Sequence, residues 1–417
     1  MKALLATRGS QGDVYPYLAL AKALQQRGHD VLLSLPRIFE EQAKDAGVGY
    51  FLQAFDDIGG MVESRPSIKG LIEWTGRIIA SQFDELIPLL ERRDMLVCSN
   101  TEFAAPHIAE YCGKPHIRTG FAPLLPGKKI PPAVFPFSPL RVLVGAQWRF
   151  LNTGLNMMVK KSLNEERRKL NMPPIRDQGE YAPSRSINYL MCSQYLGETD
   201  PGWKYPWAIG GYCFNDEFRY NEIILRNFLE FVQKDERPVL FFTLGSCNDN
   251  ERDRFCEKLS GVCRENGYKL VVGCGWWKTG MHLPSRDHVF LLDAAVPHTL
   301  IFPHCAAVIH HGGSGTTHSA ARAGKPQMAA PLIIDQHYWG GRISELRIGP
   351  QSAALGSISE HALNKRVVDL MTNPVYTANA AALAEKIRAE QGVEGMADFI
   401  ERCGKAGESA LKLAAQS

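Results

Sequence analysis

Several features that would assign a chain of 417 residues to a specialised class are missing here. No stretch approaches the roughly 20 apolar residues that a membrane-spanning helix requires, and the first residues lack the apolar segment of a secretory signal. The ten cysteines include no Cys-x-x-Cys pair, which argues against a zinc site or a disulfide scaffold. We therefore expect a cytoplasmic protein with reduced, mostly buried thiols.

An excess of charge of one sign is also lacking. The 47 Lys and Arg residues nearly balance the 44 Asp and Glu residues, and the formal net charge is +3. Glu165 and Glu166 interrupt the basic residues of the middle segment, so no basic block of the kind that binds nucleic acids is present. No Asp-x-Asp occurs either, so a metal-bridged diphosphate would lack its usual ligands. We expect no nucleic-acid partner, no metal and no cofactor.

What is present is the composition of a folded protein with more than one core. Hydrophobic residues make up 45% of the chain and charged residues 22%, and 417 residues exceed one ordinary hydrophobic core. Segments 3–13 and 239–249 resemble each other, because each is an apolar strand that ends in Thr-x-Gly-Ser and is followed by Asp. So long an offset indicates a duplicated domain type.

Strands that alternate with helices in both halves predict an α/β fold with two Rossmann-like, doubly wound parallel sheets. We predict an N-terminal domain over residues 1–210 that binds an acceptor. A linker region over 211–236 and a C-terminal nucleotide-binding domain over 237–378 follow. Helices over 379–417 are expected to pack back toward the N-terminal domain.

The stretch from His310 to Gln336 is the most informative. An apolar strand at 306–309 leads into a glycine-dense turn, and a helix-compatible run follows at 316–323. Exposed main-chain N–H groups and the positive end of a helix dipole favour phosphate at such a junction. The donors that this turn would supply come from Gly312, Gly313, Ser314, Gly315 and Thr316. Two known phosphate-binding loops do not fit, because the P-loop Lys is absent and no Gly-x-Gly-x-x-Gly follows the first strand of either half.

Three polar side chains in the stretch from His310 to Gln336 have both a functional and a structural interpretation. His310 can donate to a phosphate oxygen or be satisfied within the protein at the end of a strand. Asp335 and Gln336 follow the next apolar run, and they can bind sugar hydroxyls or belong to an exposed loop or a cap.

Asp13 follows the glycine turn of the N-terminal half. Its carboxylate can act as a general base that takes the proton of an acceptor hydroxyl. It can equally be an N-cap for a helix that begins near Tyr15. The sequence leaves these two alternatives open.

The segment 121–138 is rich in proline and aromatic residues and cannot form a regular helix. These rings can line an apolar acceptor pocket or touch a membrane surface, and ordinary packing of an irregular loop explains them equally well. The candidates are Phe121, Phe135 and Phe137, with Trp148 further along the chain. Trp276 and Trp277 can stack on a nucleobase or belong to the core.

Six motifs occur together in the order of a known family. They are Gly9–Val14 with Pro16, Val296-Pro297-His298 with Leu300 and Phe302-Pro303, His310–Thr317, Ala323–Pro326, Asp335-Gln336, and Trp339-Gly340. On these residues the chain resembles inverting glycosyltransferases of the GT-B fold in the family-1 group. The likeness is strongest to sterol glucosyltransferases and to bacterial natural-product and glycolipid glycosyltransferases.

The resemblance implies two domains that face a central cleft, with Asp13 at the position of the catalytic base. It implies that Asp335 and Gln336 contact the donor sugar and that Val296 and His298 contact the nucleobase of the donor. The implied diphosphate contacts are Ser10, Ser246, His310, Gly312, Gly313, Ser314, Gly315 and Thr316. Ala295 stands where plant-type members place a tryptophan that stacks on the base, so the choice between UDP and dTDP stays open.

The predicted function is the inverting transfer of a hexose, glucose from UDP-glucose in the first place, to a hydroxyl of an apolar acceptor. Sterol, polyketide, phenolic and lipid alcohols all suit this acceptor. The alternatives are a dTDP-sugar-dependent natural-product or rhamnolipid-type glycosyltransferase, and a non-catalytic lipid- or nucleotide-binding module on the same fold. An epimerase or a hydrolase would release UDP without any acceptor. An apolar acceptor also allows peripheral contact with a membrane.

Overall fold

The computed structural model describes residues 1–55, 67–132, 143–245, 251–275 and 286–406. Within these ranges the chain forms two compact units. Unit 1 contains residues 1–192, residues 199–215 and the segment that begins at Gln391, and unit 2 contains residues 193–198 and 216–390. Five residues singled out from the sequence lie outside the described ranges, and they are Phe135, Phe137, Ser246, Trp276 and Trp277.

Unit 1 is built on seven parallel strands in the order β3-β2-β1-β4-β5-β6-β7. The strands are β1 (Lys2–Ala6), β2 (Asp30–Leu35), β3 (Gly49–Leu52), β4 (Met95–Ser99), β5 (His116–Gly120), β6 (Ile187–Leu190) and β7 (Trp207–Ile209). Along β1, Ala3 and Leu5 belong to one core cluster, and Leu4 and Ala6 belong to a second. The sheet is therefore buried on both faces at β1, which explains why this inner strand reads as a continuous apolar run.

Helices cover both faces of this sheet. They are α1 (Gln11–Gln26), α2 (Glu40–Asp45), α3 (Ile68–Leu90), α4 (Ala105–Cys112), α5 (Val144–Lys169) and α6 (Gln178–Ser184). The sequence predicts a helix over 140–170, close to α5, but it gives no prediction for α3. The first helix begins earlier than expected, at Gln11, and it contains Pro16.

Unit 2 is built on five parallel strands in the order β10-β9-β8-β11-β12. The strands are β8 (Val239–Thr243), β9 (Lys269–Gly273), β10 (Val289–Leu292), β11 (Ala307–His310) and β12 (Gln327–Ala329). The helices are α7 (Glu222–Gln233), α8 (Arg252–Glu265), α9 (His298–Ile301), α10 (Ser314–Arg322), α11 (Ile334–Glu345), α12 (Glu360–Thr372) and α13 (Pro374–Arg388). The duplicated domain type predicted from the repeat is thus a pair of parallel α/β sheets, in which β1 and β8 are the first strands and both lie inside their sheets.

The last described helix, α14 (Gly392–Ala406), belongs to unit 1. It packs along α1, where Arg27 pairs with Asp398 at 2.5 Å, and Phe399 lies against Tyr189 with ring centroids 4.8 Å apart. The helical tail predicted over 379–417 is therefore divided, because α13 lies in unit 2 and α14 lies in unit 1. The predicted linker region is divided as well, at the boundary between residues 215 and 216.

Across the described ranges, no helix combines the length and the apolar character needed to cross a membrane.

Candidate nucleotide-sugar site and candidate base

The His310 turn, defined as His310–Thr316, joins β11 to α10 in unit 2. His310 is the last residue of β11, Gly313 is the N-cap, and α10 begins at Ser314. Gly312 has a φ of +88°, and a Cβ there would lie 2.7 Å from the main-chain oxygen of Gln336. This position requires glycine both for its backbone conformation and for the close approach of the α11 N-terminus.

Both ring nitrogens of His310 are engaged inside the protein. The ring is fully buried, its Nε2 lies 2.8 Å from Oε1 of Gln327, and its Nδ1 accepts the N–H of Gly312 at 3.0 Å. These bonds place the proton on Nε2, and burial lowers the pKa of His310 to about 4. The alternative of a satisfied histidine therefore holds in this conformation, and a direct phosphate contact would require one of the two bonds to break.

The neighbouring His311 is in a different position. It is 8% exposed, and none of the described residues forms a hydrogen bond with its Nδ1. A Cβ at Gly313 would lie 2.2 Å from its Nε2, and a Cβ at Gly245 would lie 2.7 Å from its Cε1. Burial lowers the pKa of His311 to about 3, so the ring is neutral. The structure thus places the buried Nδ1 of His311 between the glycine turns that follow β8 and β11. The sequence singles out His310 and not this neighbour.

The first turn of α10 is suited to an anion. The first amides of a helix have no partner within it and carry the positive end of its dipole. Thr317 makes the first backbone bond back to Gly313 O, at 3.0 Å, and the first turn contains no acidic residue. The predicted helix over 316–323 is therefore correct in type but begins two residues too late, and Ser314, Gly315 and Thr316 are the helical residues that would face a phosphate.

Asp335 and Gln336, which directly follow the apolar run 328–334, lie in the first turn of α11. Oε1 of Gln336 accepts the N–H groups of Leu332 and Ile333, at 2.7 and 3.1 Å. The capping alternative therefore holds for this oxygen, because it satisfies main-chain donors at the start of the helix. Asp335 is partly buried beside it. Since Gly312 lies against the backbone of Gln336, the predicted sugar contacts adjoin the His310 turn.

The two residues predicted to contact the nucleobase lie at the start of α9. Val296 is buried, and His298 stacks on Phe302 with ring centroids 4.4 Å apart. Burial lowers the pKa of His298 to about 4, and His310 and Arg322 add to this effect. His298 therefore lies close enough to the His310 turn for the two histidines to interact.

The Asp13 turn, defined as Arg8–Asp13, joins β1 to α1 in unit 1. Asp13 is the third residue of α1, and its Oδ2 accepts the N–H of Ser10 at 2.8 Å and the hydroxyl of Ser10 at 3.2 Å. A Cβ at Gly9 would lie 2.2 Å from the same oxygen. Asp13 therefore caps α1 through one oxygen, although from inside the helix and not before a helix that begins near Tyr15.

The second oxygen of Asp13 and its surroundings keep the functional alternative open. Among the described residues no donor bonds to Oδ1. Burial raises the pKa of Asp13 to about 6, although the hydrogen bonds from Ser10 oppose this effect. A carboxyl group with this pKa is ionised at neutral pH and remains a stronger base than an exposed aspartate.

Of the predicted acceptor contacts, the structure describes Phe121 and Trp148. Trp148 lies on the inner face of α5, is 8% exposed and donates its Nε1–H to Ile130 O at 2.8 Å. This geometry favours the packing alternative for Trp148. Phe121 is half-buried and packs against the core cluster that contains α1.

Within the described ranges, no group of three or more His, Cys, Asp or Glu side chains has the arrangement of a metal site.

Gln327 is a second residue that the sequence interpretation missed. It is fully buried on β12, where its Oε1 bonds to His310 and its Nε2 donates to Thr317 O at 3.4 Å. A glutamine at the start of an apolar strand was the available signal, because a buried amide must find partners.

Comparisons with known proteins agree with this architecture. Residues 3–93 match the glycosyltransferase family 28 N-terminal domain, and residues 281–400 match the C-terminal domain of erythromycin biosynthesis protein CIII-like proteins. The crystal structure of the glycosyltransferase VinC in complex with dTDP superposes with a TM-score of 0.71 over 98% of this chain and 100% of that chain, at 17% identity.

Among curated proteins, the sterol 3-beta-glucosyltransferase UGT80B1 of Arabidopsis thaliana is 27% identical over 96% of this chain and 68% of its own length. The vancomycin aglycone glucosyltransferase of Amycolatopsis orientalis is 28% identical over 94% of this chain and 95% of its own. The chain spans only 33% of the sterol 3-beta-glucosyltransferase of Pichia angusta. The chain therefore has the GT-B fold, with a family 28-type N-terminal domain and an EryCIII-like C-terminal domain.

Proposed function

We propose that this protein transfers a hexose from a nucleoside diphosphate sugar to a hydroxyl of an apolar acceptor, with inversion at the anomeric carbon. The observation that carries the proposal is the first turn of α10, which has no acidic residue and is bordered by the ring of His311, whose buried Nδ1 bonds to none of the described residues. Main-chain N–H groups at this turn would bind the diphosphate without a metal.

Asp13 takes the proton of the acceptor hydroxyl in this mechanism. The acceptor oxygen forms a bond to the anomeric carbon while the bond from that carbon to the diphosphate oxygen breaks, and the electron pair leaves with the nucleoside diphosphate. The amides of α10 stabilise the charge that develops on the leaving group. The pKa of about 6 at Asp13 supports this role, since a general base works best when its pKa lies near the operating pH.

Asp335 and the remaining polar atoms of Gln336 hold hydroxyls of the sugar. Their support is their place in the first turn of α11, next to Gly312. The ring of His311 contributes an uncharged hydrogen bond, because burial lowers its pKa to about 3. Both ring nitrogens of His310 stay engaged inside the protein.

We propose glucose from UDP-glucose as the donor and a sterol-like or polyketide alcohol as the acceptor. The sterol glucosyltransferase of Arabidopsis thaliana and the vancomycin aglycone glucosyltransferase support glucose and an apolar or aglycone acceptor. A dTDP-sugar donor is the second candidate, because VinC and the spinosyn rhamnosyltransferase SpnG have both been crystallised with thymidine diphosphate.

The test is a mass-spectrometric screen of UDP- and dTDP-hexoses against a panel of sterol, polyketide, phenolic and lipid alcohols. The expected result is a glycoside whose mass exceeds that of one acceptor by one hexose residue, with inverted anomeric configuration by NMR. Nucleotide release at the same rate without any acceptor would instead identify a hydrolase. Failure to bind any nucleotide in calorimetry would remove the proposal.

A further inference from the structure

A buried ion pair lies at the start of the Asp13 turn in unit 1. Arg8, the first residue of the turn, is 4% exposed, and Glu102, in the loop after β4, is 2% exposed. Nε of Arg8 lies 3.6 Å from Oε1 of Glu102, and its Nη1 donates to Phe55 O. Burial raises the pKa of Glu102, and the charge of Arg8 opposes this effect. Two charged groups are therefore removed from water beside the turn that carries the candidate base.

The pair does not have the geometry of a stabilising interaction. Nε of Arg8 and Oε2 of Glu102 are buried and bond to none of the described residues. A buried ion pair recovers its cost of desolvation only with good geometry and full hydrogen bonding, and apolar residues of similar volume often replace it without loss of stability. Stability alone therefore does not explain why these two residues are charged.

Side chains from the loops after β3 and β4 hold the main chain at the start of the same turn. The amide of Gln53 donates to Thr7 O at 2.9 Å and to Oε1 of Glu102 at 3.4 Å. The hydroxyl of Thr101 donates to Arg8 O at 2.9 Å. The start of the turn is thus fixed by its main chain and by the side chain of Arg8.

The carboxylate of Asp13 depends on where the start of the turn lies. Gly9 directly follows Arg8, and a Cβ at Gly9 would lie 2.2 Å from Oδ2 of Asp13. The same oxygen accepts the N–H and the hydroxyl of Ser10. The hydroxyl of Thr7 donates to Asp13 O at 3.1 Å. A displacement of Arg8 would therefore move the donors that hold the carboxylate.

We propose that Arg8 and Glu102 are positioning residues for the carboxylate of Asp13. Through the turn they set the bonds from Ser10, which orient this carboxylate for proton transfer. The catalytic consequence rests on the proposed function, because neither Arg8 nor Glu102 is assigned a contact with a substrate. The strength of the bonds from Ser10 is measurable without any sugar transfer.

The test is a measurement of the pKa of Asp13 by ¹³C NMR of the full chain, labelled at the aspartate carboxyl carbons. The Asp13→Asn variant identifies the signal. The double variant Arg8→Met, Glu102→Met removes both charges together, so neither is left buried alone. Because the bonds from Ser10 lower the pKa of Asp13, this pKa should rise in the double variant by about one unit, the equivalent of one hydrogen bond to a charged group.

The same double variant is compared with the wild type in the transfer assay. Its kcat should fall by about 10- to 100-fold, because a misplaced catalytic group reacts slowly, and KM for the nucleotide sugar should stay unchanged. The acid limb of kcat/KM should move to higher pH together with the pKa from NMR. The thermal midpoint should be equal to that of the wild type or higher.

A milder variant covers the case in which the double variant does not fold. Thr101→Val removes only the hydroxyl that bonds to Arg8 O, and it should raise the pKa of Asp13 by a smaller amount. The matched control is Arg167→Met with Glu110→Met, which removes a buried Arg–Glu pair between α5 and α4, 2.8 Å apart. The control should leave both the pKa of Asp13 and kcat unchanged.

The outcomes separate the positioning role from the proposed function. The positioning role is overturned if the pKa of Asp13 is the same in the wild type and in the folded test variants, or if the control pair raises it equally. A raised pKa with unchanged kcat overturns it as well. If the wild type transfers no hexose but the test variants raise the pKa of Asp13, the proposed function fails and the hold of the ion pair on this carboxylate stands.

Discussion

The Asp13 turn of unit 1 and the His310 turn of unit 2 are built alike but present opposite electrical properties. Each leads from a buried parallel strand through glycines into the first turn of a helix. In the Asp13 turn a carboxylate occupies that first turn and accepts the N–H of Ser10. In the His310 turn the first turn holds no acidic residue, and the adjacent histidines are neutral.

This difference teaches how one local architecture can serve two halves of a reaction. A helix N-terminus attracts negative charge from any source. Where the chain supplies that charge itself, as at Asp13, the site retains a carboxylate of raised pKa and has little need of an external anion. Where the chain supplies none, the same backbone is left for a phosphate.

The largest effect that separates the two turns is expected from Asp13→Asn. An asparagine keeps an oxygen that can accept the N–H of Ser10, so α1 stays capped, but it cannot take a proton. Transfer should fall by about 10²- to 10⁴-fold, with nucleotide affinity by calorimetry nearly unchanged. Because burial raises the pKa of Asp13, the ionised form destabilises the folded chain at neutral pH, and the thermal midpoint at pH 7.5 should rise. Turnover equal to that of the wild type would remove Asp13 from the chemistry.

Gly313→Ala should act on the other turn. The new Cβ would lie 2.2 Å from Nε2 of His311, which forces the ring or the turn to move. Nucleotide affinity should fall by about 10- to 100-fold, the equivalent of one or two charge-assisted hydrogen bonds.

The matched control is Gly341→Ala in α11, where a Cβ would meet no atom within 4 Å. An alanine inside a helix stabilises it by about 0.5–1 kcal/mol, so this variant should bind nucleotide normally. If the two glycine variants bind nucleotide equally well, the His310 turn is not the diphosphate site.

The two histidines of the turn should separate structure from binding. His310→Ala leaves the N–H of Gly312 and the oxygen of Gln327 buried without partners, and should lower the free energy of unfolding by about 2–4 kcal/mol. His311→Ala breaks no hydrogen bond among the described residues. It should lower nucleotide affinity several-fold with little change in thermal midpoint. The reverse pattern in calorimetry and thermal unfolding would restore His310 as the ligand contact.

The smallest expected effects come from pH, and their signs differ between the turns. A base must be ionised, so kcat/KM should rise with pH through a limb near 6, the pKa of Asp13. His310 and His311, whose pKa values are lowered to about 4 and about 3, contribute stability that is present above about pH 6.5 and is lost as pH falls. The thermal midpoint should therefore drop between pH 7 and pH 5. A profile of kcat/KM that stays flat from pH 5 to 8 would contradict the role of Asp13.

Much of the fold was predictable because it rests on local pattern. Continuous apolar strands between amphipathic helices indicated two parallel sheets, and the Thr-x-Gly-Ser repeat correctly marked β1 and β8 as first strands. Helix starts were less predictable. The helices α1 and α10 begin before their apolar residues do, because Ser10 and Gly313 adopt extended cap conformations that composition does not reveal.

The sequence by itself determined the resemblance to GT-B glycosyltransferases, the duplicated α/β architecture and the set of candidate groups. Only the tertiary structure decided how those groups are used. Gln327, from the next strand, forms a hydrogen bond with Nε2 of His310, and the backbone of Gln336 lies against Gly312. Nδ1 of His311 is left without a bond among the described residues. A motif fixes which atoms are available, but which of them remain free for a ligand depends on what the rest of the fold packs against them.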